Sequence, residues 1–300
     1  MNELVISTMS QGFIFAIAAL GIYITFRILD FPDLSVDGTF TTGASITAIS
    51  IQAGVHPVIA LIFAIIGGLL AGVCTGILHV KLKITNILSG IIVMIALYSI
   101  NLRIMGKSNI HLFDVNHLFT SLGSYEKLLL VSFIAIALKG LMDIFFLTEK
   151  GYILKALGEN EAFIISLGVD ANGYKILGLA LANGCVALSG ALYAQYQGFA
   201  DIGMGTGLIV SGLASIVIGE IVFKQVTFLK YTSVALLGSI VYRGILSFAL
   251  KMGLNASDLK LITALIMILI LSGLLEKFAS LLKVKGVKGN ATIKKSVQDI

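Results

Sequence analysis

The residues able to do chemistry are few in this sequence, and their spacing argues against catalysis. His111 and His117 lie in a polar stretch at a spacing that fits no metal or catalytic signature, so they read as surface histidines. Cys74 and Cys185 both fall in apolar runs and read as buried spectators, with neither a disulfide nor a metal site implied. There is no GxxxxGK[ST] phosphate loop, no HExxH and no GxSxG elbow. The chain is therefore not expected to hydrolyse ATP, to be an enzyme, or to hold a metal or cofactor. An intramembrane enzyme would need a nucleophile and a base that converge, and no such set is visible.

Some charges do fall inside apolar runs: Asp143 beside Lys139, Glu220, and Arg243. Transport coupled to protons or sodium wants carboxylates deep in the membrane. Asp143 and Glu220 instead lie near the ends of their runs. At the rise of a helix Glu220 is about 6 Å from the boundary near Lys224, whereas Arg243 is about 20 Å from Lys230. The two are not expected to pair, which leaves Arg243 to snorkel outward or to face a cavity.

The elements that must position these residues are membrane spans. The chain is 57% hydrophobic and 12% charged, with a mean hydropathy of +1.01, values that fit no soluble class. Its 32 glycines suit helices that pack closely in lipid. The reading is an all-α, polytopic helical bundle of about nine spans within residues 1–282, followed by a basic tail, 283–300. The spans run approximately over 4–26, 36–53, 57–80, 85–102, 126–147, 176–196, 203–223, 231–250 and 259–278. Gly68, Gly72 and Gly76 form a small-residue face on the third, expected to press on another helix.

Nine spans place the termini on opposite sides. With the tail in the cytoplasm, Arg27, Lys81, Lys83, Lys150, Lys155, Lys175, Lys224 and Lys230 are cytoplasmic as well. Arg103, Lys107, Lys127, Lys251 and Lys260 remain outside, which satisfies the positive-inside rule. The net charge of +5 thus reads as topology and not as a nucleic-acid footprint.

Two polar stretches interrupt the pattern. In FPDLSVDGTF, Phe31 to Phe40, Pro32 and Gly38 punctuate a broken segment that carries Asp33 and Asp37. It leads into a span dense in Thr39, Thr41, Thr42, Ser45 and Thr47, too polar for lipid contact. That span either packs in the interior or supports a solute path, with Asp37 holding the cytoplasmic entrance by capping freed N–H groups; the plainer reading is a capped surface turn. Asn183 and Ser211, in later spans, join Asp37, Thr39, Thr42 and Ser45 as path candidates. The second stretch, Glu149 to Lys175, contains an apolar core from Ala162 to Leu167 far too short to span a bilayer. Asn160 is its expected N-cap and Gly168 its stop, giving a short surface helix that displays Phe163 and Leu167. It is either a docking knob or an ordered loop between spans.

The run Lys155–Ala162, KALGENEA, with Leu167-Gly168-Val169 and the Gly/Ser-rich stretch from Gly205 to Glu220, resembles permease subunits of bacterial ATP-binding-cassette importers, of the branched-chain amino acid and ribose type. FPDLSVDGTF is similar to single-permease systems of the tryptophan/tyrosine importer kind. The likeness covers essentially the whole chain. It implies a subunit of the bacterial cell membrane, paired with a second permease copy, two cytoplasmic ATPase subunits and an extracellular solute-binding lipoprotein. It further implies that the 149–175 loop is a coupling element, with Leu157, Gly158, Glu159, Asn160, Glu161, Phe163, Leu167 and Gly168 as its candidates. The loop lacks the full EAA-type consensus, so the resemblance assigns no individual contacts. The small solute is expected to be an amino acid; the runner-up is an ion-coupled secondary transporter.

Overall fold

The computed structural model of the chain describes residues 2–223, 231–253 and 258–271. The basic tail, Lys224, Lys230 and the stretch 272–278 of the ninth expected span lie outside the described residues.

The first helix, α1 (Asn2–Tyr23), does not stop where its apolar run stops. It continues through one wide turn, Ile24–Ile28, in which the Leu29 N–H donates to the Ile24 carbonyl at 3.0 Å, five residues back. Such single wide turns inside helices mark places where a side chain must be re-aimed. Here the turn carries Arg27. The chain then reverses through Asp30, held at a φ of +50°, and enters α2 (Ser35–Gln52).

The remaining helices are α3 (Pro57–Val80), α4 (Asn86–Met105), α5 (Ser124–Phe145), α6 (Glu149–Glu159), α7 (Glu161–Ser166), α8 (Ala171–Gln197), α9 (Leu208–Phe223), α10 (Tyr231–Lys251) and α11 (Leu259–Leu271). Two short strands, β1 (Asn109–His111) and β2 (Phe199–Asp201), pair antiparallel beyond the ends of α4 and α8. Gly198, at a φ of +76°, makes the left-handed stop that lets α8 turn into β2.

Six of the described helices are long and apolar enough to cross a membrane: those over Glu3–Ile28, Pro57–Val80, Asn86–Met105, Ser124–Phe145, Ala171–Gln197 and Tyr231–Lys251. The other expected spans differ from these for separate reasons. α2 has the length but too many hydroxyls. α9 is apolar but short, because the seventh span starts at Leu208 and not at Gly203: residues 203–207 form turns. α11 is described only as far as Leu271.

Packing explains why the polar helix is tolerated. α2 is the axis of the subunit, enclosed by α3, α4 and α8, and its buried residues include Thr39, Thr41, Thr42, Ser45 and Thr47. Close approach comes from bare backbone. A Cβ on Gly43 would stand 2.0 Å from the Ala187 carbonyl oxygen, and one on Gly190 would stand 1.9 Å from that of Phe40. The Gly68/Gly72/Gly76 face of α3 lies along α8, against Asn183, Leu179 and Ile176 respectively. Cys185 is half-buried, but Cys74 is exposed, contrary to its reading as a buried residue. Its position on α3 is nearly opposite the glycine face, on the side that looks out of the bundle.

Candidate functional site

Two constellations stand out, one deep in the bundle and one at its end. The deep one begins at Asp33. Its side chain is buried, accepting from the Ser35 N–H at 2.8 Å and from the Asn183 amide at 2.8 Å. Asn183 also donates to the Leu179 carbonyl at 3.0 Å, and its own oxygen lies 3.3 Å from the Ser35 hydroxyl. Asn183 is about 18 Å along α8 from its start at Ala171. Asp33 therefore sits inside the bundle and not at its surface. The physical reason is the sharp reversal after Leu29, which carries the broken segment back inward before α2 begins.

Asp37 does cap freed N–H groups, but those of another helix. Its Oδ2 accepts from the Gly207 N–H at 2.8 Å and its Oδ1 from the Ile209 N–H at 2.9 Å. Beside it, the Gly205 N–H donates to the Thr41 hydroxyl at 3.1 Å. A Cβ at Gly205 would stand 2.0 Å from the Asp37 carbonyl oxygen, so only glycine lets the turn come this close. One carboxylate thus anchors the start of α9, where helical N–H groups lack partners and the dipole favours a negative charge.

The hydroxyls of α2 largely turn back on their own helix: Thr39 donates to the Ser35 carbonyl at 3.0 Å and Thr42 to that of Gly38 at 3.0 Å. Ser45 is buried with no partner for its oxygen among the described residues. Ser211 donates to the Leu208 carbonyl at 2.9 Å and borders a narrow cleft with Phe15, Ala18, Ser215, Tyr242 and Arg243. The structure thus brings Asp33, Ser35 and Asn183 together and ties Asp37 to α9, while Ser211 stands apart from them on the α9 surface.

Glu220 and Arg243 do not pair, as their depths require. Glu220 takes Arg27 in a two-bonded ion pair, with Arg27 Nε donating at 2.8 Å. Sequence reasoning missed that partner because the wide turn that aims Arg27 leaves no mark in the hydrophobic pattern.

The second constellation is the polar interruption before α8. It folds as two helices, α6 and α7. α6 escaped notice in the sequence, although Gly151, Leu154 and Leu157 fall at a three-residue spacing and form its buried side. Thr148 starts α6, its hydroxyl accepting from the Gly151 N–H at 3.4 Å. Asn160 breaks the pair and caps α7, accepting from the Phe163 N–H at 3.0 Å. Gly168, at a φ of +77°, ends it. Glu161 is joined to Lys175 at 2.7 Å, tying α7 to the N-terminal part of α8.

The result is a supported knob. Ile164 is buried, whereas Phe163, Ile165 and Leu167 are 54%, 57% and 60% exposed. Glu159 and Asn160 are exposed beside them. Leu157 is buried in the main core, and Gly158 is pressed on the end of the wide turn: a Cβ there would stand 1.8 Å from the Ile28 carbonyl oxygen. Gly158 is thus in the last turn of α6. A Gly158→Pro change is expected to destabilise the subunit outright instead of merely uncoupling it. Thermal unfolding of the purified chain should show this as a lowered midpoint.

Behind the knob lies an open cleft of about 730 Å³ lined by Asp30, His79, Lys83, Glu161, Asn172 and Lys175 among others. Lys83 and Lys175 share this end of the bundle with α7, as the charge distribution requires of one membrane side.

Comparison with known proteins agrees with these features. The chain is 51% identical to a tyrosine transport system permease protein of Clostridioides difficile over 89% of this chain and 90% of the relative. It is 34% identical to an uncharacterized protein of Rickettsia prowazekii, over 90% and 97%. It is 27% identical to a galactofuranose transporter permease protein of Escherichia coli, over 84% and 74%. No solved structure matches the chain. Residues 4–272 match the model of the family described as branched-chain amino acid transport system / permease component. The chain belongs to that family and is a multi-pass cell-membrane permease component of an ABC-type transport system, not itself an enzyme, which works with an ATPase and a substrate-binding partner.

Proposed function

We propose that the chain moves an amino acid into the bacterial cell as one half of a permease homodimer, driven by a pair of cytoplasmic ATPase subunits and fed by an extracellular solute-binding lipoprotein. The observation that carries this reading is the α6–α7 pair. Three apolar side chains stand exposed, Phe163 and Ile165 on a six-residue helix and Leu167 at its C-cap, and that helix is capped at both ends and propped on the core. A rigid apolar anchor of this kind suits a surface that passes force to a partner. Leu157 and Gly158 supply the footing, Glu159, Asn160, Glu161 and Gly168 set the helix, and Phe163 and Leu167 make the contact. Tyrosine is the first cargo to test, since a relative of this identity is named for it.

In this reading Asp37, Thr39, Thr42, Ser45 and Asn183 hold the frame of the path without facing the solute. Ser211 faces it, along the groove between α1, α9 and α10. The ion-coupled alternative has less support: Asp33 is held by Asn183 and the Ser35 backbone, Asp37 caps α9, and Asp143 pairs with Lys139 at 2.6 Å.

Coupling is tested by Phe163→Ala in the assembled complex. Truncating an anchor of this kind costs roughly tenfold in what it couples. The variant is expected to remain folded in the membrane, with basal ATP hydrolysis kept and its stimulation by loaded binding protein largely lost. Normal stimulation in the variant would contradict the proposal.

A further inference from the structure

Arg243 is the strongest unexplained group in the molecule. It lies about 18 Å along α10 from Tyr231, close to the middle of that span. Its guanidinium carbon stands 3.4 Å from the centre of the Phe15 ring. Its Nε is enclosed and has no hydrogen-bond partner among the described residues. Among the described residues the ionisable groups that face it are Tyr193 and Tyr242, and both phenols are engaged elsewhere. Tyr193 accepts from the Gln197 amide at 2.8 Å, and Tyr242 meets the Thr263 hydroxyl at 2.7 Å. A ring face attracts a guanidinium, but it gives the N–H fork no acceptor.

A cation in this position is costly to keep unless it is used. Its side chain borders a narrow cleft between α1, α9 and α10 that Ser211 and Ser215 also line. Planar, two-pronged donors of this type match carboxylates. An arginine that only closed the packing would have been given a resident acceptor, as Arg27 has in Glu220.

We propose that Arg243 is the anion anchor of the solute path, taking the carboxylate of the amino acid as it passes the centre of the bundle; this rests on the reading above of the cargo as an amino acid. Phe15 holds the guanidinium flat while the site is empty. Among the described residues the carboxylate replaces no protein partner, so it can leave again without a competing ion pair to rebuild.

The test uses the assembled complex in proteoliposomes, with L-tyrosine as probe. Loss of a charge-assisted pair of hydrogen bonds is expected to cut uptake by about tenfold to a hundredfold in Arg243→Gln. Arg243→Lys should keep part of the activity, since it keeps charge but not the fork. A second measurement serves if the variants do not assemble. Phenylglyoxal labelling of Arg243 in the parental complex, read by mass spectrometry, should be slowed by L-tyrosine and not by tyramine, which lacks the carboxylate. Equal labelling with both, or undiminished uptake by Arg243→Gln, overturns this inference alone. Parental vesicles that import no amino acid overturn the reading of the cargo and this inference with it.

Discussion

Replacing Gly72 by leucine is expected to abolish assembly of the subunit. A Cβ at this position would lie 2.3 Å from the Leu179 carbonyl oxygen and 2.7 Å from the Ala180 Cα. Those atoms belong to the backbone of α8 and cannot swing aside as a side chain would. Ordinary overpacking of a core costs about 1–3 kcal/mol. Here the whole α3–α8 contact must open, so the cost lies at or above the upper end of that range. The same separation would displace Gly68 from Asn183, which in turn holds Asp33. The measurement is the yield of monodisperse, membrane-extracted protein. A Gly72→Leu chain that assembles and transports like the parent would show that α3 and α8 are not in close contact. Leu70→Ala is the control, since Leu70 is 61% exposed on the outer side of α3 and its truncation should be nearly silent.

Asp37→Ala is expected to stop transport with the subunit still inserted. The substitution removes the acceptors of the Gly207 and Ile209 N–H groups. Hydrogen bonds to a charged group contribute about 1.5–3 kcal/mol each, and an orphaned buried N–H adds its own penalty. That combined cost, roughly 3 kcal/mol or more, falls on the start of one short helix. α9 should fray at its first turn and shift Ser211 away from the groove. Asp37→Asn keeps one acceptor oxygen and should show an intermediate loss. Hydrogen exchange at residues 205–211 reads the effect directly: faster exchange in Asp37→Ala is expected, whereas unchanged protection would remove Asp37 from its capping role.

These residues also show what the amino-acid order could reveal. The Gly68/Gly72/Gly76 face was legible because a helical repeat of small residues has one physical meaning in lipid. Asn160 and Gly168 were legible as the ends of α7 because caps are local chemistry. α6 was hidden, since its buried side is made by one glycine and two leucines among charges and gives a weak repeat. The path residues were the hardest. Asp37 reads as the cap of its own helix, and nothing near it in sequence points to Gly207, a partner 170 positions away. The hydroxyls of α2 looked like a solute lining because polarity in a span shows only that lipid is excluded. It does not separate a wet surface from Thr39 and Thr42 bonding back to their own carbonyls. Arg243 was correctly denied to Glu220 by depth, but its place over Phe15 depends on how α10 lies against α1, which no local pattern records.

The central claim is that this chain is the path of an ATP-driven amino acid importer. Uptake of radiolabelled L-tyrosine into proteoliposomes tests it most directly, with the chain reconstituted alongside its ATPase and loaded binding protein. The account predicts accumulation that requires ATP, persists when proton and sodium gradients are collapsed, and is lost in Phe163→Ala. Accumulation driven by an ion gradient without ATP would contradict it.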